Sequence, residues 1–126
     1  NKQAIAWLKK TYVEQADNAL TIAHTLSMML FKRDIKNVLL IHINAFTAEM
    51  LDEVLSRYEQ HNIKFITLPE ALDDEVYQLN PNVIRERAYT FLNQIRLSRG
   101  LSNPKIVDKL YRTLPEDELS RICRDI

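Results

Sequence analysis

The stretch Asn37-Val38-Leu39-Leu40-Ile41-His42-Ile43-Asn44 decides the reading of this 126-residue chain. It is a short, almost wholly apolar run with one histidine near its end. An amphipathic helix pattern follows over 47–60, and then a second short apolar run over 63–68. Apolar runs of this length, separated by a helical period, read as strand, helix, strand. Parallel strands in such a βαβ unit are buried on both faces, so they need not alternate polar with apolar residues. In α/β folds the chemistry gathers at the C-terminal ends of the strands, and His42 sits at that edge.

An imidazole inside so apolar a run is costly to bury without partners. Histidine is also the usual proton donor near neutral pH. His42 is therefore either an acid–base residue or a core histidine bonded to a neighbouring carbonyl, and the residues alone leave both open. The other two histidines are less pointed. His24 lies within a long helical pattern and reads as a surface or packing residue, and His61 reads as an exposed turn residue. No two histidines stand at i, i+4 and there is no His-Glu-x-x-His, so no zinc site is written locally.

Upstream, apolar positions at Ile5, Leu8, Tyr12, Ala16, Ala19, Ala23, Leu26 and Leu30 advance in steps of three and four without Pro or Gly. That spacing predicts one long helix or two abutting ones over 2–31, with Trp7 and Tyr12 in its core face. A charged connection, 32–36, leads to the first strand, 38–43. The next helix should be capped by Thr47, with Phe46 stapled on Leu51, and should bury Leu51, Val54, Leu55 and Tyr58. Asn62 is placed to stop it in the left-handed region. The second strand runs from about Lys64 to Leu68.

Thr67 and Glu70 have capping-box spacing, which predicts a short helix from near Pro69 to Tyr77. Asn80-Pro81 should open another, with Ile84, Ala88, Phe91, Leu92 and Ile95 on its buried face and Gly100 at its end. Asn103-Pro104 should start a helix carrying Ile106, Val107, Leu110 and Tyr111. Thr113 and Glu116 repeat the capping box before a last helix bearing Leu119 and Ile122. Asp73-Asp74-Glu75 lacks the alternating ligands of a calcium loop and reads as a solvated helix end. The seam falls at 79–82, dividing a βα portion, 1–79, from a helical extension, 80–126.

Lys plus Arg equals Asp plus Glu at 17 each, and no basic face is clustered, which argues against a nucleic-acid binder. A single glycine, Gly100, excludes glycine-rich phosphate loops. The lone Cys123 excludes an internal disulfide, and its helical register with Leu119 and Ile122 reads as a buried structural thiol. No apolar run approaches a membrane span. The chain opens at Asn1 inside a helical pattern and reads as a piece of something longer. Two parallel strands do not make an independent sheet. The expected fold is therefore a helix-rich α/β fragment: one βαβ unit closing a larger barrel or sheet, plus a helical tail.

Three stretches carry a family resemblance. They are Leu30-Phe31-Lys32-Arg33-Asp34-Ile35-Lys36-Asn37-Val38-Leu39-Leu40-Ile41-His42-Ile43-Asn44-Ala45, Thr47-Ala48-Glu49-Met50-Leu51-Asp52, and Tyr58-Glu59-Gln60-His61-Asn62-Ile63-Lys64-Phe65-Ile66-Thr67-Leu68-Pro69-Glu70-Ala71-Leu72. In this order they resemble the C-terminal end of the catalytic domain of polysaccharide deacetylases, the chitooligosaccharide and peptidoglycan deacetylase superfamily. That region of the family reads as a Leu-x-Leu-His strand, a helix, and a Gly-Tyr-x-Phe-x-x-Leu-x-Glu-Ala-Leu strand and turn.

The resemblance implies a distorted (β/α) barrel whose divalent metal, zinc in many members, is held by one Asp and two His of earlier motifs. A second early Asp is the base on a metal-bound water that attacks the acetyl carbonyl of an acetylated polysaccharide. By resemblance His42 is the general acid that protonates the leaving amine, and Leu40 lines the acetyl-methyl pocket. This chain has no Thr-Phe-Asp-Asp segment, no His-x-x-x-His pair and no Arg-Pro-Pro loop, so it supplies no metal ligands and is expected to be inactive alone. Asn62 stands where the family favours Gly. Many members have Asp directly after the His, where this chain has Ile43-Asn44. The parent would be exported to the cell envelope. The competing expectation is a non-enzymatic helical interaction module, self-associating through an incomplete sheet edge.

Overall fold

The periodic apolar positions of the first 31 residues produce one unbroken helix, α1 (Lys2–Phe31). In the computed structural model, which describes residues 2–84, 90–113 and 115–124 (without the side chains of Glu116, Cys123 and Arg124), five further helices follow. They are α2 (Ala45–Gln60), α3 (Leu68–Leu72), α4 (Phe91–Ser98), α5 (Lys105–Tyr111) and α6 (Glu116–Arg124), with a single 3₁₀ turn at Glu75–Gln78. Helix α1 is the spine, against which α2, α4 and α5 all pack. Its C-terminal half supplies Leu26 and Leu30 to a core completed by Ile35, Val76, Leu92, Ile95 and Val107. That cluster draws residues from both sides of the 79–82 seam.

Among the described residues there is no β-strand, so the expected βαβ unit and barrel fragment are not what this chain forms. Residues 38–43 and 64–67 are neither helical nor paired, and among the described residues no backbone-to-backbone hydrogen bond involves 38–43 or 64–66. Leu68, expected to end the second strand, instead begins α3. Their side chains are not buried on both faces: Leu40 is 82 % exposed and Ile43 fully so.

The reason lies in how α1 and α2 meet. Lys9 pairs with Glu49, and further along both helices Asp17 pairs with Arg57, so the two run in the same sense. Tyr12 and Phe46 meet edge to face, their centroids 5.4 Å apart. The chain leaving Phe31 must therefore travel back to the level of Tyr12, ~28 Å along α1. Residues 32–45 would cover only ~21 Å as a helix. A continuous helix is too short for this return, so the connection leaves the helical conformation whether or not a neighbouring strand exists.

Other boundaries shift for local reasons. Asn44, not Thr47, caps α2: its side chain accepts from the Thr47 N–H, and Thr47 itself is buried. Phe46 packs on Tyr12 rather than serving as a staple on Leu51. The buried face of α2 is Thr47, Met50, Val54 and Tyr58, with Leu51 and Leu55 only partly covered. The helix expected from Asn80-Pro81 does not begin there, since 79–84 is irregular and Ile84 is 93 % exposed. It begins at Phe91, where Thr90 caps Asn93 N–H, and the expected core residue Ala88 lies outside the described residues. The Thr113 hydroxyl donates back to the Leu110 carbonyl, and the Glu116 side chain, the other half of the expected capping box, lies outside the described residues. Cys123's side chain also lies outside the described residues.

Several punctuation marks do act as read. Asn62 and Gly100 end α2 and α4 at positive φ, 61° and 65°. In each, the following N–H reaches back five residues, Ile63 to Tyr58 and Leu101 to Arg96. That is the Schellman closure, which satisfies carbonyls a helix end leaves orphaned. The Thr67–Glu70 capping box is complete in both directions. The helix it opens is short, and a 3₁₀ turn takes over after Asp74.

Candidate functional site

The extended segment that carries His42 is held at both ends. At its start the Arg33 guanidinium grips both oxygens of Asp74, with Nη1 to Oδ2 at 2.9 Å and Nη2 to Oδ1 at 2.6 Å. The same carboxylate accepts from the Lys36 N–H at 3.0 Å and the Val76 N–H at 3.2 Å. Two more bonds close this corner. The Lys36 ammonium donates to the Glu70 carbonyl, and the Tyr77 hydroxyl donates to the Lys36 carbonyl at 2.6 Å. At the far end stand the Asn44 cap and the Tyr12–Phe46 contact.

Asp74 is the residue that the sequence reading missed. Taken there as part of a solvated helix end, its side chain is only 3 % exposed, while Asp73 and Glu75 on either side do face solvent. Its carboxyl is held well below the usual carboxylate range, first by the Arg33 hydrogen bonds and then by the two backbone N–H groups, against the opposing effect of burial. The available signal was an Asp placed to cap its own turn, since Asp74 accepts from Val76 two residues on. Nothing in the sequence pairs it with Arg33, which lies 41 positions upstream.

His42 and Leu40 lie on the segment between these two anchors, and both are exposed. Among the described residues no hydrogen bond or ion pair engages the His42 imidazole, so the alternative of a satisfied core histidine is not realised. The three histidines are dispersed. His24 Nδ1 lies 2.6 Å from Asp34 Oδ1 on the surface, and His61 follows α2 as its C-cap. Trp7 and Tyr12, read as core, are partly covered. Two shallow grooves, of about 420 and 440 Å³, run along α5 and between α1 and the α5–α6 region, and neither is lined by His42 or Leu40.

The resemblance asks for a divalent metal. Among the described residues no three His, Cys, Asp or Glu side chains converge. What the arrangement can do is present an ionisable imidazole beside apolar side chains on a backbone fixed at both ends. No helix among the described residues is long and apolar enough to cross a membrane. No protein-family model, curated protein or solved structure matches the chain.

Proposed function

We propose that this chain is the C-terminal part of a metal-dependent polysaccharide deacetylase, acting on acetylated polysaccharide, and that its contribution is the proton-donating His42. The observation that carries the reading is the free imidazole of His42 on an extended, doubly anchored segment, in the register the family's late motif occupies. A general acid must reach a leaving group, and an exposed imidazole with an open ring nitrogen can do so. As the carbonyl–nitrogen bond of the acetamide breaks, protonated His42 gives its proton to the departing nitrogen. Leu40, exposed beside it, offers an apolar wall to the acetyl methyl. The ligands of the metal and the base belong to motifs this chain does not contain, so the chain alone does not turn over.

The test is deacetylation by the protein encoded by the natural reading frame, measured with His42→Ala and with bound metal quantified. Lost turnover with metal retained supports the role. Undiminished turnover removes it, and a frame without Thr-Phe-Asp-Asp or His-x-x-x-His motifs removes the family reading.

A second reading is favoured by a different observation. Leu40, Ile43, Phe65, Leu68 and Leu72 are all exposed apolar side chains on or beside the unpaired segments. Such a surface suits a non-enzymatic interaction module, including self-association through the unpaired backbone. Sedimentation over a range of concentrations separates the two: an oligomer lost in Leu40→Ser or Ile43→Ser favours the module.

A further inference from the structure

We propose that Asp74 is the positioning residue of the candidate site: the clasp it forms with Arg33, Lys36 and Val76 fixes the path of the segment that presents His42. The inference rests on the proposed function only in giving that placement a catalytic purpose.

One carboxylate receives four donors there, two from the Arg33 guanidinium and two from the main chain. A fork on a carboxylate restricts orientation as well as distance. The main-chain donors then tie that orientation to the backbone on both sides, at Lys36 and at Val76. Lys36 is held a second and third time, through its ammonium to Glu70 and its carbonyl to Tyr77. Beyond Lys36 such support thins: among the described residues, apart from the Tyr77 hydroxyl near Val38, no hydrogen bond engages the backbone of 38–43 until the Asn44 cap.

The path between has few competing restraints. Val38, Leu39 and Leu40 are 49, 47 and 82 % exposed, so packing does not hold them in place. An extended segment without ladder bonds keeps one direction only while both ends are fixed. The far end, at Asn44 and Phe46, fixes where the segment arrives, and the Asp74 clasp fixes where it departs. Ile35, buried in the core just before Lys36, sets the depth of that departure but leaves the chain free to swing about it.

The deciding experiment is backbone and side-chain NMR relaxation of the 126-residue chain. In the native chain residues 37–42 should give order parameters near those of α2, while Asp74→Asn should drop them to about 0.6 or below with α2 unchanged. Arg33→Lys, which keeps the charge but not the fork, should give part of the same loss and guards against a variant that does not fold. Order parameters over 37–42 that stay the same in both variants would overturn the inference, as would a native chain in which that segment is already loose.

The catalytic side is read separately, as deacetylation by the natural protein. Asp74→Asn should lower kcat about tenfold or more with KM within about twofold, and Asp74→Glu should recover part of it. A parallel rise in KM with kcat unchanged would overturn the positioning role. A native protein that does not deacetylate removes the proposed function but leaves the relaxation result to decide the clasp.

Discussion

The Tyr58 hydroxyl on α2 donates to the main-chain carbonyl of Ala16 on α1, 2.8 Å away. The neighbouring Arg57 grips the Asp17 carboxylate through Nε and Nη2, so two successive residues of α2 hold two successive residues of α1. Together with the Lys9–Glu49 pair nearer the start of both helices, these contacts hold the same-sense pairing, and with it the return path of 32–45. Burial is what pushes the Tyr58 phenol above its ordinary value, with the Asp17 charge adding to it.

Removing only the hydroxyl tests how much the bond contributes. Tyr58→Phe keeps the ring of this buried residue, which is 6 % exposed as a whole, and should cost about 1 kcal/mol. Tyr58→Ala also empties the ring's place and should cost about 3 to 4 kcal/mol. Urea denaturation of the two variants against the native chain gives both numbers. Equal losses would show that the ring contributes nothing beyond its hydroxyl.

Asp74 predicts the acid limb of stability. Its folded pKa lies below its unfolded value near 3.9, so its contribution is fully present above that value and fades as pH falls toward the folded pKa. The native chain should therefore lose stability below about pH 4, while Asp74→Asn, already weaker by about 2 to 3 kcal/mol, should show a shallower slope there. Thermal melts from pH 7 to pH 2 make the comparison. Parallel slopes for the two proteins would place the acid sensitivity elsewhere.

Helix identity and helix stops were legible because their causes are local. The unbroken three-and-four spacing of α1, the left-handed Asn62 and Gly100, and the Thr67–Glu70 box all act within one turn of chain. The strands were misread because extended backbone and β-sheet share a sequence signature. Residues 38–43 have strand composition and an extended path, yet a sheet also needs a partner, which composition cannot supply. The candidate site was half legible in the same way. His42 stands out by its setting, whereas Asp74 matters through Arg33, a pairing visible only after the chain has turned back on itself.

Ser27 offers a test in the stabilising direction. It is fully buried on α1, and among the described residues its hydroxyl has no hydrogen-bond partner. Burying an unpaired hydroxyl costs roughly 1 to 3 kcal/mol, and alanine is the better helix former. Ser27→Ala should therefore stabilise the chain by about 1 kcal/mol. A loss of stability on chemical denaturation would mean that the hydroxyl has a partner in solution.

The sharpest prediction compares a core residue with the segment once expected to be core. Leu26 is fully buried among Leu30, Ile35 and Leu92, so Leu26→Ala should cost about 3 to 4 kcal/mol through lost burial and the cavity left behind. Leu40 and Ile43 come from a more apolar stretch of sequence, but their side chains already face water. Leu40→Ala and Ile43→Ala should each change stability by no more than about 0.5 kcal/mol, as surface substitutions do. Had 38–43 been a strand covered on both faces, each would have approached the Leu26 value. The measurement must be made at low protein concentration, because association through these side chains would give them a stabilising role that falls on dilution. A loss of 2 kcal/mol or more at Leu40 that persists on dilution would show that the segment is packed within the single chain. Losses below 0.5 kcal/mol at both positions leave those side chains free to meet a substrate or a partner.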